Sequence, residues 1–305
     1  MIFTLTPPAP YAFAHTMFAA RFLYIAARPM PDGAIRRAVR VGDRLALLEL
    51  RDRGTVDMPR IEVRLLASDG AIDPDRLQPK ASALLNARVD LAAFYAAHGT
   101  DAHIAPTTAR LRGLHALGAD TLFEAVALTM IEQQITVKMA QTSERWLMEW
   151  VGDGLDYQGA RYPVFPTPAR IADCTVEQLI PMKITRIRMG RLIAFARAIA
   201  DDADGFERLR LAPTETLYST LRAFSGVGHW TAAWSMIRAV GAFPYFGAAD
   251  VALRNAVNRL CFDAPGRAEP AAMDALFARY GDYAGLASYY LMMHYEFDRY
   301  NSSHA

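Results

Sequence analysis

Cysteine is nearly missing from this chain: Cys174 and Cys261 are the two in 305 residues. They stand far apart and form no CxxC pair, so a cysteine zinc site, a four-thiolate iron–sulfur cluster and a disulfide framework are all excluded, and both read as small packing residues. Lysine is nearly as scarce. Lys80, Lys138 and Lys183 are the only three among 33 basic residues, and none follows Lys183. No apolar run approaches the ~18 residues that a membrane-spanning helix needs, so no membrane span is expected. The opening MIFTLTPPAPY has no basic stretch ahead of an apolar one, so a secretory signal is not expected and a soluble cytoplasmic protein is. The formal net charge is only +1. A polyanionic partner is therefore not advertised by overall charge, and any such binding has to come from local arrangement. Internal repeats, low-complexity tracts and long linkers are absent too.

What is present divides in two. Apolar residues make up 52% of the chain, enough to bury cores for two or three domains at this length. Up to about residue 70 the pattern is strand-like: FTLTP, FAARFLYIAAR, RRAVRVGDRLALLELRD and RIEVRLL carry β-branched and aromatic residues in partial alternation, broken by PPAP, PMPDG and DRGTVDMP. Val41-Gly42-Asp43 reads as a hairpin turn. Beyond residue 80 apolar residues recur at i, i+3, i+4 and i+7, as in ALLNARVDLAAFYAAHG, TLFEAVALTMIEQQITVKMAQTSERWLMEWVG and RMGRLIAFARAIADD. Pro166-Thr167-Pro168 and the Thr175/Gln178 pair mark helix starts. The expected fold is α+β: a small antiparallel sheet domain over 1–80, then an all-α region over 81–305.

Within the helical region one stretch, FSGVGHWTAAW (224–234), stands out. ETLYSTLRAF before it and WTAAWSMIRAV after it are amphipathic at helical spacing, so Gly226 and Gly228 read as a very short turn between two helices. The second helix then begins with unpaired N–H groups and its positive dipole end, an arrangement suited to a phosphate. On two glycines alone, an ordinary corner between helices explains the pattern equally well.

The full string resembles the helix-hairpin-helix DNA glycosylases, whose hairpin reads leucine, proline, glycine, hydrophobic, glycine. Phe224-Ser225-Gly226-Val227-Gly228 keeps both glycines and the apolar centre, with Ser225 where proline is usual. The likeness extends to FEAVALTMIEQQITVKMA (123–140), to VFPTPARIADCTVEQL, and to GAFPYFGAADVALRNAV (241–257). It is greatest toward the bacterial 3-methyladenine DNA glycosylase II type, strong from Phe123 to Val257 and thin at the N-terminus. The resemblance implies two helical subdomains with a cleft between them, and a monomer acting on double-stranded DNA that carries damaged bases, in the cytoplasm of a bacterium with its nucleoid. It implies phosphate contacts from Gly226, Val227, Gly228, His229 and Thr231, and a side chain from Gln134 or Ile135 filling the gap in the duplex, with Thr136 and Lys138 beside it. It places the backbone carbonyls of Arg222, Phe224 and Val227 around a structural Na⁺ or K⁺, with no cofactor required.

The chemistry implied is cleavage of the bond between base and deoxyribose, in which positive charge grows on the sugar and a nearby carboxylate stabilises it. Asp250 matches the family aspartate, and no acid lies between Glu215 and Asp250. As an isolated residue it reads as a helix N-cap. Relatives that also cut the strand use a lysine of the second hairpin helix as a Schiff-base nucleophile. Trp230 stands there, so a monofunctional enzyme without lyase activity is expected. Trp230, Trp234 and Tyr283 are the candidate aromatics for stacking on an extruded alkylated purine. The acid-free run MKITRIRMGR, with Lys183, Arg186, Arg188 and Arg191, reads either as a patch for the DNA backbone or as an ordinary solvated face. A glycosylase for oxidised or deaminated bases and a non-catalytic DNA-binding protein are the alternatives.

Overall fold

The computed structural model describes residues 1–23, 26–241 and 244–304. Five antiparallel strands form an N-terminal sheet in the order β1-β5-β4-β3-β2: β1 is Ile2–Leu5, β2 Arg28–Pro29, β3 Ile35–Val41, β4 Arg44–Asp52 and β5 Ile61–Ser68. The expected hairpin is there, with β3 and β4 paired from Ile35↔Leu50 to Val41↔Arg44. Every residue of β4 from Leu45 to Leu50 is buried, so both faces of this strand are covered. One face joins the main core. The other sets Ala38, Leu45 and Leu47 against Leu155, Tyr162 and Val164 of a second, two-stranded sheet, β6 (Asp153–Tyr157) and β7 (Ala160–Val164).

Two expectations change here. The strand-like FAARFLYIAAR instead belongs mostly to a helix, Phe13–Leu23, while Tyr24 and Ile25 lie outside the described residues. Phe13, Met17 and Ala20 recur at i, i+4 and i+7 and are all buried, a helical period that the aromatic content of the stretch disguises. The β6–β7 pair sits in the region expected to be all helical. Its turn is made by Gln158 and Gly159, both with positive φ, as two-residue hairpins require.

The remaining elements are helices, and their cores join that of the sheet in one continuous apolar cluster. Residue 80, the expected boundary, falls inside the helix Pro74–Leu84, whose Leu77, Ala81 and Leu84 are buried. At the centre runs the helix Leu122–Glu132, buried at every position from Leu122 to Ile131. Near its start Glu124 meets Arg37 of β3 at 3.0 Å, with both side chains almost fully enclosed. At its end Glu132 takes two 2.7 Å bonds from the buried Arg238. Among the described residues no helix is long and apolar enough to cross a membrane.

Candidate nucleic-acid interface and active site

Thr214–Arg222 and His229–Val240 are the two helices around the glycine turn. Gly226 has φ +88°, and a methyl group there would lie 2.8 Å from Cδ of Arg191. Conformation and proximity therefore both demand glycine. Gly228 is the N-cap of the second helix, in extended conformation and without a side chain to cap it. The first-turn amides of that helix thus have neither a helical carbonyl nor a capping side chain, and Gly228 and His229 are exposed. Uncapped first-turn amides of this kind are suited to an anion.

The side chains around these amides find cover or partners within the protein. Val227 is buried, and its amide closes the turn by donating to the Phe224 carbonyl at 3.1 Å. Thr231 is buried. Both ring nitrogens of His229 are engaged within the protein, one with the Tyr218 hydroxyl at 2.6 Å and the other donating to the Phe246 carbonyl at 2.7 Å. His229 and Thr231 can therefore serve an anion through their backbone amides, not their side chains.

Gln133, which sequence reasoning missed, ties this turn to the neighbouring loop: its Nε2 donates to Gly226 O and to Thr231 Oγ1, both at 2.8 Å. The next residue, Gln134, is exposed with φ +54° at the tip of the turn between Leu122–Glu132 and Val137–Trp150. Ile135 is half-buried against the core, and Thr136 caps the following helix by accepting from Met139 N at 3.3 Å. Gln134 is thus the residue free to project. In the basic run Arg188 is buried, donating to Ile131 O at 3.2 Å, and Arg186 is paired with Glu177 at 2.9 Å. Lys183, Arg186 and Arg191 are exposed, with Arg191 beside Gly226.

Asp250 is half-buried and caps the helix Val251–Cys261: its Oδ1 accepts from the amides of Ala252 at 2.8 Å and Leu253 at 3.1 Å. Its Oδ2 accepts from the indole Nε1 of Trp230 at 2.7 Å. The N-cap expected of Asp250 is present, and its second carboxylate oxygen is held by a residue of another helix. No cationic side chain pairs with Asp250 among the described residues. Trp230 is half-buried, with its ring centroid 6.5 Å from that of Trp234. Trp234 is itself buried, with the Arg238 guanidinium 6.0 Å from its ring and Tyr289 against its edge. Tyr283 stands apart from the tryptophans, beside Phe94 and His98 at 5.6 and 5.5 Å. Ala242 and Phe243, in the segment leading to Asp250, lie outside the described residues.

A glycine turn between two helices is thus followed by an aspartate-capped helix and preceded by a five-stranded sheet. No family model matches the chain. Over 171 residues it is 29% identical to the DNA-3-methyladenine glycosylase of Bacillus subtilis (strain 168), a match spanning 56% of this chain and 56% of that relative, little more than half its length. The fold is similar to that of the 3-methyladenine DNA glycosylase from Archaeoglobus fulgidus, with a TM-score of 0.79 at 21% identity over 97% of this chain and 99% of the other. It is also similar to the 8-oxoguanine glycosylase/lyase of Clostridium acetobutylicum in complex with double-stranded DNA, with a TM-score of 0.73 at 15% identity over 98% of each. The chain is thus similar in fold to DNA glycosylases along nearly its whole length, and in sequence to one of them over little more than half of it.

Proposed function

We propose that this protein is a monofunctional DNA glycosylase of base excision repair that hydrolyses the N-glycosidic bond of alkylated purines of the 3-methyladenine type. It acts as a monomer on duplex DNA in the bacterial cytoplasm and leaves an abasic site. The observation that carries the reading is the Asp250 carboxylate, fixed through both oxygens by N–H donors and unpaired with any described cation, one helix beyond a phosphate-binding turn. As the C1′–N bond breaks, its electron pair leaves with the base and positive charge spreads over C1′ and the ring oxygen. A fixed carboxylate stabilises that charge. Water then adds to C1′ and loses its proton. A purine alkylated on the ring is cationic and departs without a proton donor, which suits a site whose one side-chain N–H at Asp250 is already bonded to the carboxylate. The half-buried Trp230 would offer a ring face for such a cation, with Trp234 packed behind it against Arg238 and Tyr289, and Tyr283 lies beside Phe94 and His98.

Lyase chemistry needs an amine at the position of Trp230, and the nearest lysine in the sequence is Lys183. The turn and the Leu122–Glu132 end loop would grip the backbone around the extruded nucleotide, with Gln134 in the gap. The carbonyls of Arg222, Phe224 and Val227 fit a monovalent cation. Arg222 ends its helix, where helical partners run out, Val227 lies across the turn just before the N-cap Gly228, and Phe224 O keeps a lone pair after accepting from Val227. A bound Na⁺ or K⁺ would add positive charge behind the phosphate.

The test is a panel of duplexes with single lesions, alkylated, deaminated or oxidised, analysed with and without alkali. Release of alkylated purine with strand breaks only after alkali is expected, and Asp250→Asn should abolish it. Breaks without alkali, preference for oxidised guanine, or an active Asp250→Asn variant would each refute part of the reading.

A further inference from the structure

We propose that Trp230 serves this site through its indole N–H, as a positioning residue for Asp250, and that residue 247 is glycine to admit that indole; the proposal rests on the glycosylase reading above. The edge of the indole, not its face, makes the close contacts. Nε1 donates to Asp250 Oδ2 at 2.7 Å, and the adjoining Cδ1 would lie 2.6 Å from a methyl group on Gly247. Gly247 is buried, and its carbonyl accepts the Asp250 amide at 2.8 Å. One residue therefore fixes the main chain of the aspartate and leaves room for the ring that holds its side chain. Two backbone amides of the Val251–Cys261 helix hold Oδ1. Held at that oxygen alone, the carboxylate tilts within those two bonds. A third donor from a different helix sets the plane and leaves a lone pair of Oδ2 for the sugar, and charge-assisted bonds of this kind are the stronger ones. Glycine at 247 and tryptophan at 230 thus form one device, which neither residue signals in the sequence.

Trp230→Phe separates this role from stacking, since phenyl keeps an aromatic face and loses the donor. In single-turnover release of an alkylated purine from duplex DNA, Trp230→Phe is expected to lower the maximal rate roughly ten- to a hundredfold, leaving the half-saturating enzyme concentration in place. Gly247→Ala should reproduce the loss by displacing the indole, and the double variant should be no slower than Trp230→Phe. An unchanged maximal rate in Trp230→Phe, or additive losses in the double variant, would overturn the proposal.

A second measurement needs no activity. The chain has four tryptophans, so proton–nitrogen spectra carry four indole signals, and Trp230→Phe identifies its own. That signal should move upfield in both Asp250→Ala and Gly247→Ala. If it stays, the proposal fails even for an active enzyme; if it moves while the wild type releases no base, only the glycosylase reading fails.

Discussion

Replacing Gln133 by leucine tests how firmly the glycine turn is held from outside itself. The side chain spans from the Leu122–Glu132 helix end to Gly226 O and Thr231 Oγ1, 2.8 Å each. Leucine keeps most of the volume and removes both donors. A neutral hydrogen bond nets about 0.5–1.5 kcal/mol. The two acceptors differ: Gly226 is half-buried and finds water easily, whereas Thr231 is 2% exposed and does not. The loss should thus total about 2 kcal/mol, weighted toward Thr231, which for a chain of this size is about 3 °C in Tm. Urea unfolding should show a lower midpoint at unchanged m, because the surface exposed on unfolding is the same. Binding to a duplex with an abasic-site analogue should weaken several-fold, the turn no longer being preorganised. No charge is lost, so the slope of log K against log salt should not change. An unaltered midpoint would show that water replaces the glutamine, and an altered salt slope would show that Gln133 acts on the phosphate itself.

Burial and the neighbouring Glu132 charge push Glu144 well above the usual carboxylate range. A raised pKa means that the folded state holds a proton which the unfolded chain releases near 4.5, so this group's contribution to stability is complete below that pH and fades as pH rises toward the folded value. Glu144→Gln mimics the protonated form and should gain on the wild type with rising pH above 4.5, by up to about 1.4 kcal/mol per unit; parallel urea midpoints at pH 5 and 7.5 would refute this. Arg37→Met should cost about 3–5 kcal/mol by stranding the enclosed Glu124, and adding Glu124→Leu should recover most of it; a single variant as stable as the wild type would show that the pair is dispensable.

The parts of the site that were legible in the sequence are those written in backbone conformation. A glycine turn and a capping aspartate obey local rules, so Gly226, Gly228 and Asp250 could be read from their neighbours, as could the capping box at Thr175 and Gln178, which the structure contains. What escaped depends on contacts between distant residues. Gln133 looks like any polar residue at a helix end until Gly226 is brought beside it, 93 positions on. Arg188 looked like one member of a basic face, but the helix turns it inward to Ile131 O. The partners of the His229 ring, the Tyr218 hydroxyl and the Phe246 carbonyl, are equally invisible in the sequence. The helix Phe13–Leu23 was missed for a different reason: aromatic and small residues in close succession satisfy strand propensity and helical period together, and the packing of Met17 and Ala20 decides.

The charges along Leu122–Glu132 link the N-terminal sheet to the helix that carries Trp230. Glu124 bonds Arg37 of β3, and Glu132, eight residues further, bonds Arg238 of the second hairpin helix, the same helix whose Trp230 holds the carboxylate. Apolar contacts between smooth faces tolerate sliding at little cost, because one leucine replaces another. A buried ion pair does not, since a shift of one helical turn strands both charges. Eight residues is about 12 Å of helix at 1.5 Å each, a rigid strut with a charged lock at either end. The sheet therefore fixes the height of the central helix, the central helix fixes the hairpin helix, and the hairpin helix delivers the indole N–H to Asp250. An ion pair that adds little net stability is retained where register matters more than strength.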